Sequence, residues 1–416
     1  MDTTGDQMKL ASRESKVFGV AIKDRASILM AGHSADAAFW MEKNFWVTTE
    51  YYRADLPGYL QASNQKKATE EYRGKVWELL LPKAKYHNNG PDQNDWENPP
   101  KGFSAAFPHQ LYKSGEGDAK EFGDQVLGSP FGNDATLKAA KAVLVGEELG
   151  KDAIPDLLCL NLSSNDYVGH AYGPHSLEVE DITYRTDIAL GDFARFLDEH
   201  VGDGQWTLLL TADHAVAPIV QVAQKMKLPA VRNPLPVETV KTEIETLLRQ
   251  TFADVSVLEH SPKFVEYVED YSLFLNREHP ALQGDKLVRA RRLVRDWIGK
   301  QRHVVTVKTR DDLLYGDGNE LHDAMRRGYH QQLSGDVLWV FAPYCVPGTS
   351  KRGTTHGSPW SYDTHVPLLL LGSGVRAGQF DRPVSPACIA STVARLVGVK
   401  PPAANVEQPL TEALAE

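Results

Sequence analysis

The chain has 416 residues, of which 42% are hydrophobic and 24% charged. This composition excludes fibrous and disordered classes and suits one large α/β core with an insertion, or two to three modest domains. The formal net charge of -10 argues against a nucleic-acid binder, which usually shows a basic face. Three cysteines, Cys159, Cys345 and Cys388, are too sparse and odd in number for a disulfide framework, and none has zinc-thiolate spacing.

In chain order, residues 1–16 read as a polar leader without supporting strand or helix and without the apolar core of a signal peptide. As written, the chain is therefore expected in the cytoplasm. Residues 17–23, VFGVAIK, form a β-branched strand candidate. Residues 84–118, rich in Asn, Gly, Pro and Lys, read as a surface excursion. Asp134 is expected to cap a helix carrying Leu137, Ala140 and Leu144, which Gly150 ends. An apolar strand follows at 156–163, then a helix at 177–200 with Ile182, Ala189, Phe193, Phe196 and Leu197 on one stripe, then a strand at 206–211.

From about 219 to 335 the chain turns polar and helix-rich. Within it, Arg289, Arg291, Arg292 and Arg295 alternate with leucine and valine, the pattern of an amphipathic helix with a solvated basic face. Apolar runs resume at 337–343 and 366–372, before a closing helix near 387–397. Unalternating apolar strands separated by helices indicate an α/β fold with a mostly parallel central sheet flanked by helices. The expected organisation is a core from 1–218 and 336–416, with an inserted smaller subdomain at 219–335.

Three segments carry chemistry. Asp166 and His170 follow the 156–163 strand, four residues apart, on one side of a helical turn. Asp213 and His214 follow the 206–211 strand directly. His356 lies in Gly353-Thr354-Thr355-His356-Gly357, with His365 nine residues further on. Each alone is explained by an N-cap aspartate, a core histidine or a Gly/Ser turn. Together they place carboxylates and imidazoles, both zinc ligands, at the strand ends where open α/β sheets bind ligands.

The segments DYVGHAYGPHS, TADHA and GTTHGSPWSYDTHVPLLLLG resemble the three metal-ligand blocks of the alkaline phosphatase superfamily, most closely its bacterial PafA-type branch. Gly19–Arg25, Ala31–Ser34 and Ser129–Asn133 resemble that branch too. The resemblance implies an alkaline-phosphatase-like core and hydrolysis of phosphate monoesters with two Zn2+ ions. It implies that Asp166, His170 and His356 bind one zinc, with His356 preferred to His365 because it precedes a glycine. Asp213 and His214 would bind the other. Lys23 and Arg25 would hold the phosphate oxygens, and two residues apart in an extended segment they share a side.

The family's nucleophilic Thr or Ser, and an Asp ligand of the second zinc, precede the matched region, so the resemblance implies a truncated form with little activity alone. A signal peptide lost with that segment would make the complete protein periplasmic or secreted. The expected partners are small phosphorylated substrates and inorganic phosphate, with no nucleic-acid or membrane partner evident. A phosphodiesterase or nucleotide pyrophosphatase of the same superfamily, and a non-catalytic zinc- or phosphate-binding protein, are the alternatives. Lys23 weighs against a diesterase, because a second cation suits a dianionic monoester.

Overall fold

The computed structural model describes residues 2–88, 90–252 and 262–415. The chain divides into two compact units, Met1–Asp213 with Val366–Glu416, and His214–His365. Among the described residues no helix is long and apolar enough to cross a membrane.

In the first unit the start of the chain differs from expectation. Thr4–Ala11 is a helix, capped by Thr3 in a reciprocal box: the Asp6 amide donates to Thr3 Oγ1 at 3.2 Å, and the Thr3 amide donates to Asp6 Oδ2 at 2.8 Å. This Thr-x-x-Asp signal satisfies two orphan helix donors. Its apolar signal in the sequence is weak, because only Met8, 1% exposed, supplies a large buried apolar anchor. The helix lies so close to the core that a Cβ on Gly5 would meet Val17 Cγ1 at 2.6 Å and the Ala31 carbonyl at 2.7 Å.

Strand Val17–Ala21 is buried along its whole length and central. It pairs parallel with Ala37–Glu42 on one side and Leu157–Asn161 on the other, and a short antiparallel strand, Phe45–Val47, extends the edge. Phe18, Val20, Phe39, Leu137, Val143 and Phe193 form the core beneath it. The helix expected from Asp134 runs Pro130–Gly146, with Ser129 at its N-cap and Pro130 at N1, where a missing N–H costs nothing. Leu177–His200 is helical as expected, and the Val179 amide donates to the Ser176 hydroxyl at 3.1 Å to cap it. The closing helix is Cys388–Leu396.

Two strands depart from the expected double coverage. Leu157–Asn161 and Thr207–Thr211 are only half-buried throughout. Each has one bonded neighbour among the described residues: Leu157–Asn161 pairs with Val17–Ala21, and Thr207–Thr211 pairs antiparallel with Leu368–Gly372. Leu369 and Leu371 are correspondingly 58% and 54% exposed.

The second unit holds a four-stranded antiparallel sheet in the order Val304–Thr309, Val337–Phe341, Ser272–Leu275, Val265–Glu269. Val337–Phe341 was expected in the parallel core. Its apolar run instead reflects burial inside this sheet, beside Val240, Ile244, Leu248 and Val294 from helices Val237–Phe252 and Asp285–Ile298. The basic stripe of Asp285–Ile298 also divides. Arg289 and Arg292 are exposed, whereas Arg291 turns inward to Asp336, with Nε donating to Oδ1 at 2.9 Å. Asp336 is fully buried, so the pair is structural.

Candidate active site

In the first unit, parallel pairing sets Ala21 beside Asn161 and so brings two chain reversals to one sheet edge. After Ala21, Lys23 is the N-cap of helix Asp24–Ala31. After Asn161, helix Ser164–Tyr172 begins and carries Asp166 in its first turn and His170 in its last. The Lys23 ammonium is ion-paired with Asp166 Oδ2. Asp166 Oδ1 lies 3.4 Å from His170 Nε2. The i, i+4 spacing thus does place carboxylate and imidazole side by side.

Lys23 also lies 4.8 Å from the centre of the Tyr167 ring. Burial pushes the Tyr167 phenol above its ordinary value, and the positive charge of Arg25 opposes that shift. Arg25 lies in the first turn of helix Asp24–Ala31, not in the extended segment expected, and is 70% exposed and 3.9 Å from Asp24. It is close enough to the group to act on it electrostatically, and open enough to receive an anion.

Asn133, in the Ser129–Asn133 segment that resembles the PafA-type branch, is 3% exposed in the first turn of Pro130–Gly146. Its Nδ2 donates to Asn165 Oδ1 at 2.7 Å and to Thr186 Oγ1 at 3.2 Å, and its Oδ1 accepts from the Ser164 amide at 3.3 Å. Asn133 therefore ties three helices together at the N-terminus of the one bearing Asp166 and His170. Nothing in the sequence spacing reveals this network, because its members are separated by 32 and 53 residues.

Asp213 ends the first unit, exposed, directly after strand Thr207–Thr211. It has interactions of its own, as do Asp166, His170, His214 and His356.

In the second unit His214 and His356 stack face to face, with ring centroids 3.3 Å apart. His214 Nδ1 lies 3.0 Å from the Ala215 carbonyl, so a proton there leaves Nε2 as the lone-pair donor. The His356 loop is fixed from several sides. Thr354 Oγ1 donates to the Ala217 carbonyl at 2.8 Å, and Arg232 donates to the Gly353 carbonyl at 2.6 Å. Buried Asp363 accepts from the Ser358 amide at 2.8 Å and from its hydroxyl at 2.6 Å. Burial raises the Asp363 pKa, opposed by the hydrogen bonds from Ser358 and the charge of His214. By contrast His365 is exposed at the end of the short helix Ser361–Thr364.

Known proteins resemble this chain over nearly its whole length. The family model described as type I phosphodiesterase / nucleotide pyrophosphatase matches residues 3–269. The chain is 34% identical to alkaline phosphatase PafA of Elizabethkingia meningoseptica over 99% of its own length and 74% of the relative's. It is 32% identical to a protein of Myroides odoratus named calcium-transporting ATPase, across all of this chain and 75% of that one. It is 30% identical to alkaline phosphatase PhoV of Synechococcus elongatus, covering 99% and 73%. The crystal structure of wild-type PafA superposes with a TM-score of 0.88 at 33% identity, covering all of this chain and 78% of that one. The chain belongs to the type I phosphodiesterase / nucleotide pyrophosphatase family, on the PafA-like branch of the alkaline phosphatase superfamily, and is by family a phosphoester hydrolase.

Proposed function

We propose that the chain acts on phosphate monoesters by a two-zinc mechanism of the alkaline phosphatase type. The observation that carries the reading is the cluster of Lys23, Asp166 and His170 at one sheet edge, a cation and two metal-type donors within ion-pair reach. The donor chemistry fits zinc: a carboxylate oxygen and an imidazole nitrogen, with the Lys23 charge already compensating the Asp166 carboxylate. Asp166, His170 and His356 would hold one ion, Asp213 and His214 the other. The packing of His356 on His214, against the exposure of His365, supports choosing His356. When bound, the two ions supply neutralisation of the phosphate dianion and stabilisation of the attacking and leaving oxygens.

The chain's own residues then have distinct tasks. With Asp166 engaged by a metal, the Lys23 ammonium is available to a non-bridging phosphate oxygen, and Arg25 offers a planar fork to a second. Both are positive where charge develops in the transition state. Asn133, through Asn165 and Ser164, holds the helix that aims Asp166 and His170. Thr3 is given no nucleophilic role, since its hydroxyl is engaged in the helix cap, 3.1 Å from Asp6 Oδ2 and 3.2 Å from the Ala31 carbonyl. No nucleophilic hydroxyl is assigned.

The test compares an aryl phosphate monoester with the corresponding diester, alongside inorganic phosphate binding by calorimetry, all in the presence of zinc. Monoester preference and weaker phosphate binding in Arg25→Ala support the proposal. Faster diester cleavage would transfer the chain to the diesterase reading. Phosphate affinity unchanged in both Lys23→Ala and Arg25→Ala would remove their assigned role.

A further inference from the structure

Lys23 reaches across the sheet edge to Asp166, and its ammonium meets a second group on the same helix. Tyr167, next in sequence to Asp166, presents its ring to the ammonium, with Nζ 4.8 Å from the ring centre. The Lys23 and Asp166 side chains are 16% and 18% exposed, so this corner is largely withdrawn from water. Tyr167 is half-buried, and its amide donates to the Ser163 carbonyl at 3.3 Å. Among the described residues the ammonium has these two partners, one carboxylate and one aromatic ring. Consecutive residues on a helix point about 100° apart, so carboxylate and ring approach the ammonium from different directions.

The two partners differ in what happens to them when the site is loaded. Asp166 is assigned to zinc above, and a carboxylate beside a dication has less net charge to offer an ammonium. Lysine carries its charge on a flexible four-carbon stem, and fixing such a side chain costs rotamer entropy. Without a second contact, release from Asp166 would let Lys23 sample many rotamers. An aromatic face attracts a cation through its quadrupole and is no ligand for zinc, so this contact survives metal binding. Among the described residues the Tyr167 hydroxyl has no hydrogen-bond partner. The ring is therefore the part of Tyr167 that the corner uses.

We propose that Tyr167 is a positioning residue for Lys23: its ring holds the ammonium in place for a phosphate oxygen once Asp166 is taken by the metal. The inference rests on the phosphate role given to Lys23 above. Its signature is a dependence on the ring and not on the hydroxyl. Tyr167→Phe keeps the aromatic face and should bind inorganic phosphate as wild type does. Tyr167→Leu keeps an apolar side chain but has no quadrupole, and should weaken phosphate binding about 3- to 10-fold, the range of a cation–π contact in a half-buried corner. The whole of that loss should pass through Lys23.

The experiment is a double-mutant cycle on the intact zinc-loaded chain, read by calorimetric titration with inorganic phosphate. Tyr167→Leu should weaken binding when Lys23 is present and change nothing in the Lys23→Ala background. Zinc retained after dialysis should be the same in all four proteins, which a general disturbance of the Asp166 helix would not allow. Because Tyr167→Leu can fail to fold, phenylalanine bearing one, two or three ring fluorines is also placed at position 167. Fluorination drains the ring face with little change of shape, so phosphate affinity should fall stepwise along the series. An affinity that stays flat across the series, an equal loss from Tyr167→Leu with and without Lys23, or a loss in Tyr167→Phe as large as in Tyr167→Leu would overturn the proposal. Weaker binding in Lys23→Ala with full affinity in Tyr167→Leu would overturn it alone, whereas unchanged affinity in Lys23→Ala would remove the phosphate role of Lys23 and this inference with it.

Discussion

Replacing Asn133 by alanine tests whether the helix bearing Asp166 and His170 is positioned from its N-terminus. Three hydrogen bonds disappear, but they are not equivalent. Thr186 keeps its bond to the Ile182 carbonyl at 2.8 Å, and Asn165 Oδ1 keeps Thr186 at 3.3 Å. The Ser164 amide, in a residue that is 0% exposed, loses the acceptor that Asn133 Oδ1 provides. An orphaned buried N–H costs about 1–3 kcal/mol, and each lost ordinary bond about 0.5–1.5 kcal/mol net. A small cavity adds to this, so Asn133→Ala should destabilise the first unit by roughly 2–4 kcal/mol. For a unit of this size that lowers the melting midpoint by roughly 5–12 °C. Zinc affinity should fall about 10–100-fold, as when an outer partner of a metal ligand is removed. Scanning calorimetry and a competitive zinc chelator give the two readouts. A midpoint within a degree of wild type with unchanged zinc affinity would refute the positioning role.

Asp181→Ala provides the contrast: this fully buried carboxylate accepts from Trp77 Nε1 and Arg185 Nε at 2.6 Å, from the Leu80 amide at 2.7 Å and from the Tyr86 hydroxyl. Removing it should cost about 3–5 kcal/mol in thermal or denaturant unfolding, because buried donors and a cation lose their partner, and zinc affinity should stay within a few-fold of wild type. Stability should fall as pH rises from about 4.5, the ordinary Glu value, through about 8, because the folded chain binds more protons on Glu97 and Glu178 than the unfolded one. Burial of His109, which pulls its pKa down to about 4, adds a loss on the acid side as pH falls below its ordinary 6.5. Urea midpoints across pH 4 to 9 check both slopes. Asp166→Ala should sharply reduce the zinc retained after dialysis, measured by elemental analysis, while the protein stays folded.

The parts that were legible in the sequence are those encoded locally. Val17–Ala21 and Leu157–Asn161 were visible as apolar runs, and Leu177–His200 as a stripe at helical spacing. The Asp166–His170 pair was legible for the same reason, since i, i+4 geometry needs nothing beyond the helix itself. Where the reading failed, a non-local fact intervened. Val337–Phe341 has the composition of a parallel core strand but pairs antiparallel in the second unit, a choice made by its neighbours. Arg291 looks like its exposed neighbours Arg289 and Arg292 until Asp336 is known to lie against it. The opening helix was missed because its stability comes from a cap and from contacts with Ala31 and Val17, with little amphipathic signal of its own. The 84–118 segment has the composition of a solvated loop, yet it delivers Glu97 and His109 to the interior.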